Sequence, residues 1–137
     1  MQFTDFGFDN RILQSLRHLG FDEATEIQAR AIPEAMAGRD LLASSKTGSG
    51  KTLAYLLPAL HRVFKVKPLS KRDPRVVILV PTRELAKQVF AQLRLLLAAT
   101  RFTSNLILGE KTLTIKLRRC KKTPTLLLLH PVVWLTI

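Results

Sequence analysis

The chain has 137 residues and is 47% apolar, enough for one ordinary domain with a real core. Its 22 Lys and Arg against 10 Asp and Glu leave a formal charge of +12, which favours an anionic partner, nucleic acid before an acidic membrane. The single cysteine, Cys120, excludes an internal disulfide partner and a cysteine-rich zinc site.

MQFTDFGFDN has neither a basic start nor an apolar run, so no secretory leader is expected. The late apolar stretch LLLLHPVVWLTI is 12 residues long and holds His130 and Pro131, too short to span a membrane. A reducing, cytoplasmic setting without membrane attachment is the expectation.

Asp9 can cap a first helix through Leu19, with Ile12, Leu13, Leu16 and Leu19 on one face and Gly20 as the stop. A second helix suits residues 25–37, capped by Thr25 and ended by Gly38; Pro33 should kink or split it. DLLAS, residues 40–44, reads as a short strand running into a glycine-rich loop. Residues 51–63 are helix-like, with a second kink expected at Pro58. FKVKPLSKRDPRV, with five basic residues, one acid and two prolines, reads as a surface loop.

VVILV, residues 76–80, is the run expected of a strand buried on both faces of a parallel sheet. Pro81 ends it, residues 82–99 form an amphipathic helix, and NLIL at 105–108 is a further strand. This alternation predicts an α/β fold with a parallel sheet. The apolar run after Thr125 could cover an edge of that sheet, since Pro131 argues against a central strand. His18, His61 and His130 match no chemical motif and read as structural or surface residues.

SKTGSGKT, from Ser45 to Thr52, follows the phosphate-loop pattern, except that its first position is serine instead of glycine. Gly48 and Gly50 permit positive φ, so backbone N–H groups of Ser45, Lys46, Thr47, Gly48, Ser49 and Gly50 can turn toward phosphate. Lys51 is placed to reach the β and γ phosphates, and the Thr52 hydroxyl to ligate Mg²⁺; these two are the candidate catalytic residues. The following helix adds its N-terminal dipole to the site.

GFDEATEIQ, SKTGSGKT and PTRELA occur in that order, with IPEAMAGRDLL leading into the loop. Over about residues 3–109 the chain resembles the start of a DEAD-box ATP-dependent RNA helicase, which implies a partial RecA-like P-loop NTPase domain, ATP and Mg²⁺ as cofactors and RNA as partner. The resemblance makes Gln28 the adenine reader, its amide donating and accepting at once, with Thr25 in the same motif. Phe3, seventeen positions before Gly20, stands where the family places an aromatic on the adenine face. Ala24 departs from the family's usual proline.

Pro81, Thr82, Arg83 and Glu84 are implied to line the RNA backbone track, with Arg83 on a phosphate. Strand ending, helix capping and the helix dipole account for the same residue types without RNA.

The family's D-E-A-D and S-A-T strings are absent from this sequence, and one acid, Glu110, follows residue 109. Neither hydrolysis nor unwinding is therefore expected from the chain alone. The strands that flank the phosphate-loop strand in the family also belong to the missing part. Residues 1–109 are read as the N-terminal part of the first RecA-like domain, and 110–137 as a tail foreign to the family. With permitted codons and one base restored, GEKTLTIKL becomes GGKNFNDQI, and in the same frame TLLLLHPVVWLTI becomes NFIVATPGRLADH, which holds the family's next RNA-binding string. A one-base deletion near codon 109 accounts for both.

Three other readings remain open: a small basic RNA-binding protein without ATP use, a small-molecule kinase built on Lys51, and a non-functional product.

Overall fold

Asp9 opens the first helix with its own carboxylate. Its Oδ1 accepts from Arg11 N at 2.9 Å, and α1 runs Asn10–His18 from that cap. The computed structural model describes residues 1–65, 75–98, 100, 102 and 104–108, with the backbone of 126–129. Its residues form two units, Met1–Lys67 and Pro68–Ile137.

In the first unit a 3₁₀ turn, Phe3–Phe6, precedes α1, and α2 (Glu26–Met36) and α3 (Lys51–Lys65) follow it. The N-terminal segment lies along residues 22–24: Phe3 N donates to Asp22 O at 3.3 Å and Ala24 N to Met1 O at 2.9 Å. Helix α1 stops as expected. Gly20 N bonds Arg17 O and Phe21 N bonds Leu16 O, the paired bonds of a glycine C-cap. Gly38 and Arg39 close α2 in the same way, on Ala35 O and Glu34 O.

Neither internal proline splits its helix. Pro33 lies within α2 and Pro58 within α3. Pro58 is flanked by Leu56, Leu57 and Leu60, all at most 1% exposed, and their burial holds the chain helical across the lost bond. Ile12, Leu16 and Ile32 complete this unit's most deeply buried set.

Asp9 also joins α1 to α3. Its backbone N–H donates to His61 Nδ1 at 3.1 Å, its carboxylate meets Lys65 Nζ at 3.6 Å, and the Arg11 guanidinium lies 4.4 Å above the Phe64 ring. Hydrogen bonds from Arg11 hold the Asp9 carboxyl well below the usual carboxylate range. Burial, then the Lys65 charge, push the His61 imidazole below its ordinary value, against a smaller opposing pull from Asp9.

The folded state favours neutral His61, whereas the unfolded chain takes up a proton near pH 6.5, so stability is full above that value and falls as pH drops below it. Asp9 stays ionised through this window. Urea midpoints should therefore fall between pH 7 and pH 5, and His61→Asn should flatten that dependence while lowering the midpoint at pH 7.

In the second unit β1 (Val76–Leu79), β2 (Ser104–Ile107) and β3 (Leu126–Leu129) make a parallel sheet of order β1-β3-β2. Val76 and Ser104 both pair with Leu126, so the three strands start in line. Helix α4 (Arg83–Leu97) packs on β2 and β3, burying Ala86, Val89, Leu93, Leu96 and Leu97. Thr82 caps it, its Oγ1 accepting from Leu85 N at 3.1 Å.

Three strand expectations are corrected. Residues 40–44 form no strand, and Leu42 is fully exposed. A strand exists only through a ladder, and among the described residues none pairs with this segment. Strand β1 is not buried on both faces: Val77 is 52% and Leu79 66% exposed, because among the described residues of this unit α4 is the one helix on the sheet. Of the run after Thr125 the structure describes Leu126–Leu129, which takes the centre of the sheet and not an edge. Pro131 falls two positions beyond that strand and removes no ladder donor from it. Of the stretch 64–76 expected as a loop, Phe64 and Lys65 end α3 and Val76 opens β1, while 66–74, like the tail around β3, lie outside the described residues.

Candidate nucleotide-binding site

The phosphate loop joins α2's sequence to α3 and owes its shape to two glycines. Gly48 has φ 81° and Gly50 φ 93°, and α3 begins at Lys51, directly after the second turn. Ser45, Ser49, Gly50, Lys51 and Thr52 are half-buried, while Lys46, Thr47 and Gly48 are exposed.

Thr25, Gln28 and Gly50 come together. Gln28 is 3% exposed, the buried polar side chain among the described residues. Its Oε1 accepts from Thr25 N at 2.9 Å, closing a capping box on α2, and its Nε2 donates to Gly50 O at 3.0 Å. Gly50 O also accepts from Ala54 N at 3.2 Å, so one carbonyl serves the start of α3 and the start of α2. Beyond these two bonds the Gln28 amide has one further hydrogen and one further carbonyl lone pair. A methyl group on Gly50 would stand 2.4 Å from Gln28 Nε2 and 2.8 Å from Thr25 Oγ1.

Lys51 turns inward, its ammonium donating to Ser45 O, and the Ser45 and Ser49 hydroxyls are 2.5 Å apart. Thr52 lies next to Tyr55, whose phenol burial pushes above its ordinary value, the Thr52 hydroxyl working the other way. Phe3 is not brought to this cluster. Its ring is 3% exposed against Phe6, at 6.1 Å between centroids, and it borders a separate cavity of about 430 Å³ with Leu13, Leu16 and Phe21. A larger cavity of about 860 Å³ opens beside Lys51, walled by Ala31, Ala35, Ala54 and Pro58. Gln28 and residues 45–50 do not line it, so Lys51 is the one cradle residue on its wall.

In the second unit Pro81, Thr82, Arg83 and Glu84 are all exposed at the N-terminus of α4. Thr82 Oγ1 is used in the cap, while the Arg83 side chain faces solvent.

The model of the DEAD/DEAH box helicase family matches residues 25–137, taking in the capping box, the phosphate loop and the α4 N-terminus. This chain belongs to the DEAD/DEAH box helicase family. It is 38% identical over 130 residues to ATP-dependent RNA helicase has1 of Emericella nidulans, covering 95% of this chain and 21% of that protein. Over 92 residues it is 49% identical to DEAD-box ATP-dependent RNA helicase 16 of Oryza sativa subsp. japonica, covering 65% of this chain and 14% of that one. Its fold is similar to the RNA-helicase Prp28 from Chaetomium thermophilum bound to ADP, with TM-score 0.76 and 34% identity over 95% of this chain and 32% of that chain. The chain thus spans about a fifth of the length of the curated relatives it matches. The fold is a partial RecA-like domain of this family.

Sequence reasoning took Gly50 as a source of backbone freedom and missed its carbonyl as the joint between α2 and α3. The Thr25-x-x-Gln28 spacing carried a signal, since a capping box buries the glutamine at N3. No local signal announces the Ser45–Ser49 contact.

Among the described residues no helix is long and apolar enough to cross a membrane, and no cluster of three or more His, Cys, Asp or Glu could hold a metal ion.

Proposed function

We propose that this chain is a helicase fragment that binds an adenine nucleotide through residues 45–52 and contacts RNA backbone at the N-terminus of α4, without hydrolysis or unwinding by itself. The observation that carries this reading is the phosphate loop, turned at Gly48 and Gly50 and feeding directly into α3 at Lys51. Gln28 reads the adenine edge with its remaining donor and acceptor, whereas the buried Phe3 ring, packed on Phe6, is left out of this reading.

Mg²⁺ fits this donor set only as a phosphate-bound ion. Thr52 offers one hydroxyl, and the nucleotide's phosphates and water complete the shell, which suits a cation that keeps its waters. When bound, the ion screens phosphate charge; Lys51 supplies the protein's own positive charge. In-line hydrolysis further needs a metal-holding carboxylate and a residue to orient water, and neither the D-E-A-D nor the S-A-T string is present.

Titration of the full chain with a fluorescent ADP tests the reading. Lys51→Ala should weaken binding at least tenfold, the worth of one charge-assisted hydrogen bond to phosphate. Equal affinity of the two proteins removes the loop from nucleotide binding.

The second reading, RNA binding without ATP, is favoured by the inward turn of Lys51 and by the formal charge of +12. It requires salt-sensitive binding of single-stranded RNA that Arg83→Glu weakens and ADP leaves unchanged. The whole family activity, and a reducing cytoplasmic setting, belong with the longer protein from which such a fragment derives.

We also propose that residues 110–137 are read out of frame. The family match runs to Ile137. In the neighbouring frame Leu126–Leu129 becomes F-I-V-A, equally apolar, so a strand suits both readings at that position. Genomic sequence showing this frame intact, with no helicase continuation beside it, would sink the proposal.

A further inference from the structure

Three hydrogen bonds close the phosphate loop on itself. Lys51 Nζ donates to Ser45 O, the Ser45 and Ser49 hydroxyls pair at 2.5 Å, and Ser49 N donates to Lys46 O at 3.2 Å. Each occupies a group that an incoming phosphate needs: the ammonium, the mouth of the loop and a backbone donor. The middle bond depends on a departure in sequence. The usual first residue of this loop is glycine, which has no side chain to reach across.

We propose that Ser45 is a positioning residue that latches the loop shut through Ser49 and thereby lowers its affinity for nucleotide phosphate. The inference rests on the nucleotide reading above. The far end of the loop is held separately, since Gly50 O is bonded by Gln28 Nε2 and Ala54 N. Opening is therefore confined to residues 45–49, where Lys46, Thr47 and Gly48 are exposed. A ligand that binds only the open loop loses in affinity whatever the closed loop gains from its own bonds. One neutral hydrogen bond corresponds to a roughly two- to tenfold change.

The latch has a signature that a phosphate-contacting serine lacks. Ser45→Ala and Ser49→Ala remove the same bond, so each should tighten binding of fluorescent ADP about two- to tenfold, and the double variant should gain no more than either single one. Without nucleotide, amide hydrogen exchange at residues 46–49 should quicken in both single variants. Ala is compatible with either position, and circular dichroism checks that the helices persist.

Weaker binding in Ser45→Ala assigns its hydroxyl to the phosphate itself and overturns the latch, as do additive gains. Unchanged or slower exchange overturns it whatever the affinity. Faster exchange with no variant binding nucleotide leaves the latch standing and defeats the nucleotide reading instead.

Discussion

Gly50→Ala should be the most damaging added methyl among the described glycines, lowering stability by about 2–3 kcal/mol and nucleotide affinity by at least tenfold. Two costs combine. At φ 93° an L side chain is strained by about 1–2 kcal/mol. The new methyl would also lie 2.4 Å from Gln28 Nε2 and 2.8 Å from Thr25 Oγ1. Gln28 is 3% exposed and bonded at both ends of its amide, so it can retreat only by releasing Gly50 O, at about 1 kcal/mol more. In a chain of this size the loss corresponds to a drop in melting temperature of roughly 10 °C. Calorimetry with and without ADP separates the two effects. Gly48→Ala is the control: it has φ 81° and nothing within 4 Å of the added methyl, so strain alone should act there. Equal losses at the two glycines would show that the Gln28 contact contributes nothing.

The second large effect is expected at Gln28 and depends on pH. In Gln28→Glu one oxygen still accepts from Thr25 N, but the other meets Gly50 O, oxygen against oxygen, in a nearly closed site. Burial and that carbonyl raise the new carboxyl above its unfolded value of about 4.3. A raised folded value gives stability that is whole below about pH 4.3, where the protonated acid donates to Gly50 O, and is lost as pH climbs through the folded value. The deficit relative to the parent chain should therefore be larger at pH 8 than at pH 5, reaching about 2–3 kcal/mol. Gln28→Ala loses both bonds at every pH, with a deficit of about 2 kcal/mol that stays level. Urea unfolding of the three proteins at the two pH values checks the pattern; a level deficit in Gln28→Glu would mean that water reaches the glutamate.

These expectations give Gln28 a structural role beside the proposed one of adenine reader. A drop in nucleotide binding in Gln28→Ala would not by itself prove base recognition, because α2, the loop and α3 share the same hydrogen bonds. A fair test compares adenine with guanine nucleotides in the same variant. Loss of discrimination speaks for base reading, and equal loss of both speaks for the joint.

The local elements were legible in the residues because their causes are local. Asp9, Thr25 and Thr82 begin helices where they stand, and Gly20 and Gly38 end two of them. The phosphate loop announced itself through spacing, and its glycines took positive φ. VVILV and NLIL became strands within a residue of their expected bounds.

Partner-dependent features were decided by tertiary structure. Asp40 to Ser44 carries strand-like residues, yet a strand is a relation between segments, and no described segment supplies the ladder. Leu126–Leu129 shows the converse: the proline beyond it argues against a central place, yet it sits there because β1 and β2 each offer it a parallel edge. The same holds at the site, where the bond from Gln28 to Gly50 spans 22 positions. Capping and glycine turns are written in neighbouring residues, whereas strand pairing and a buried amide's partner depend on what the folded chain brings alongside.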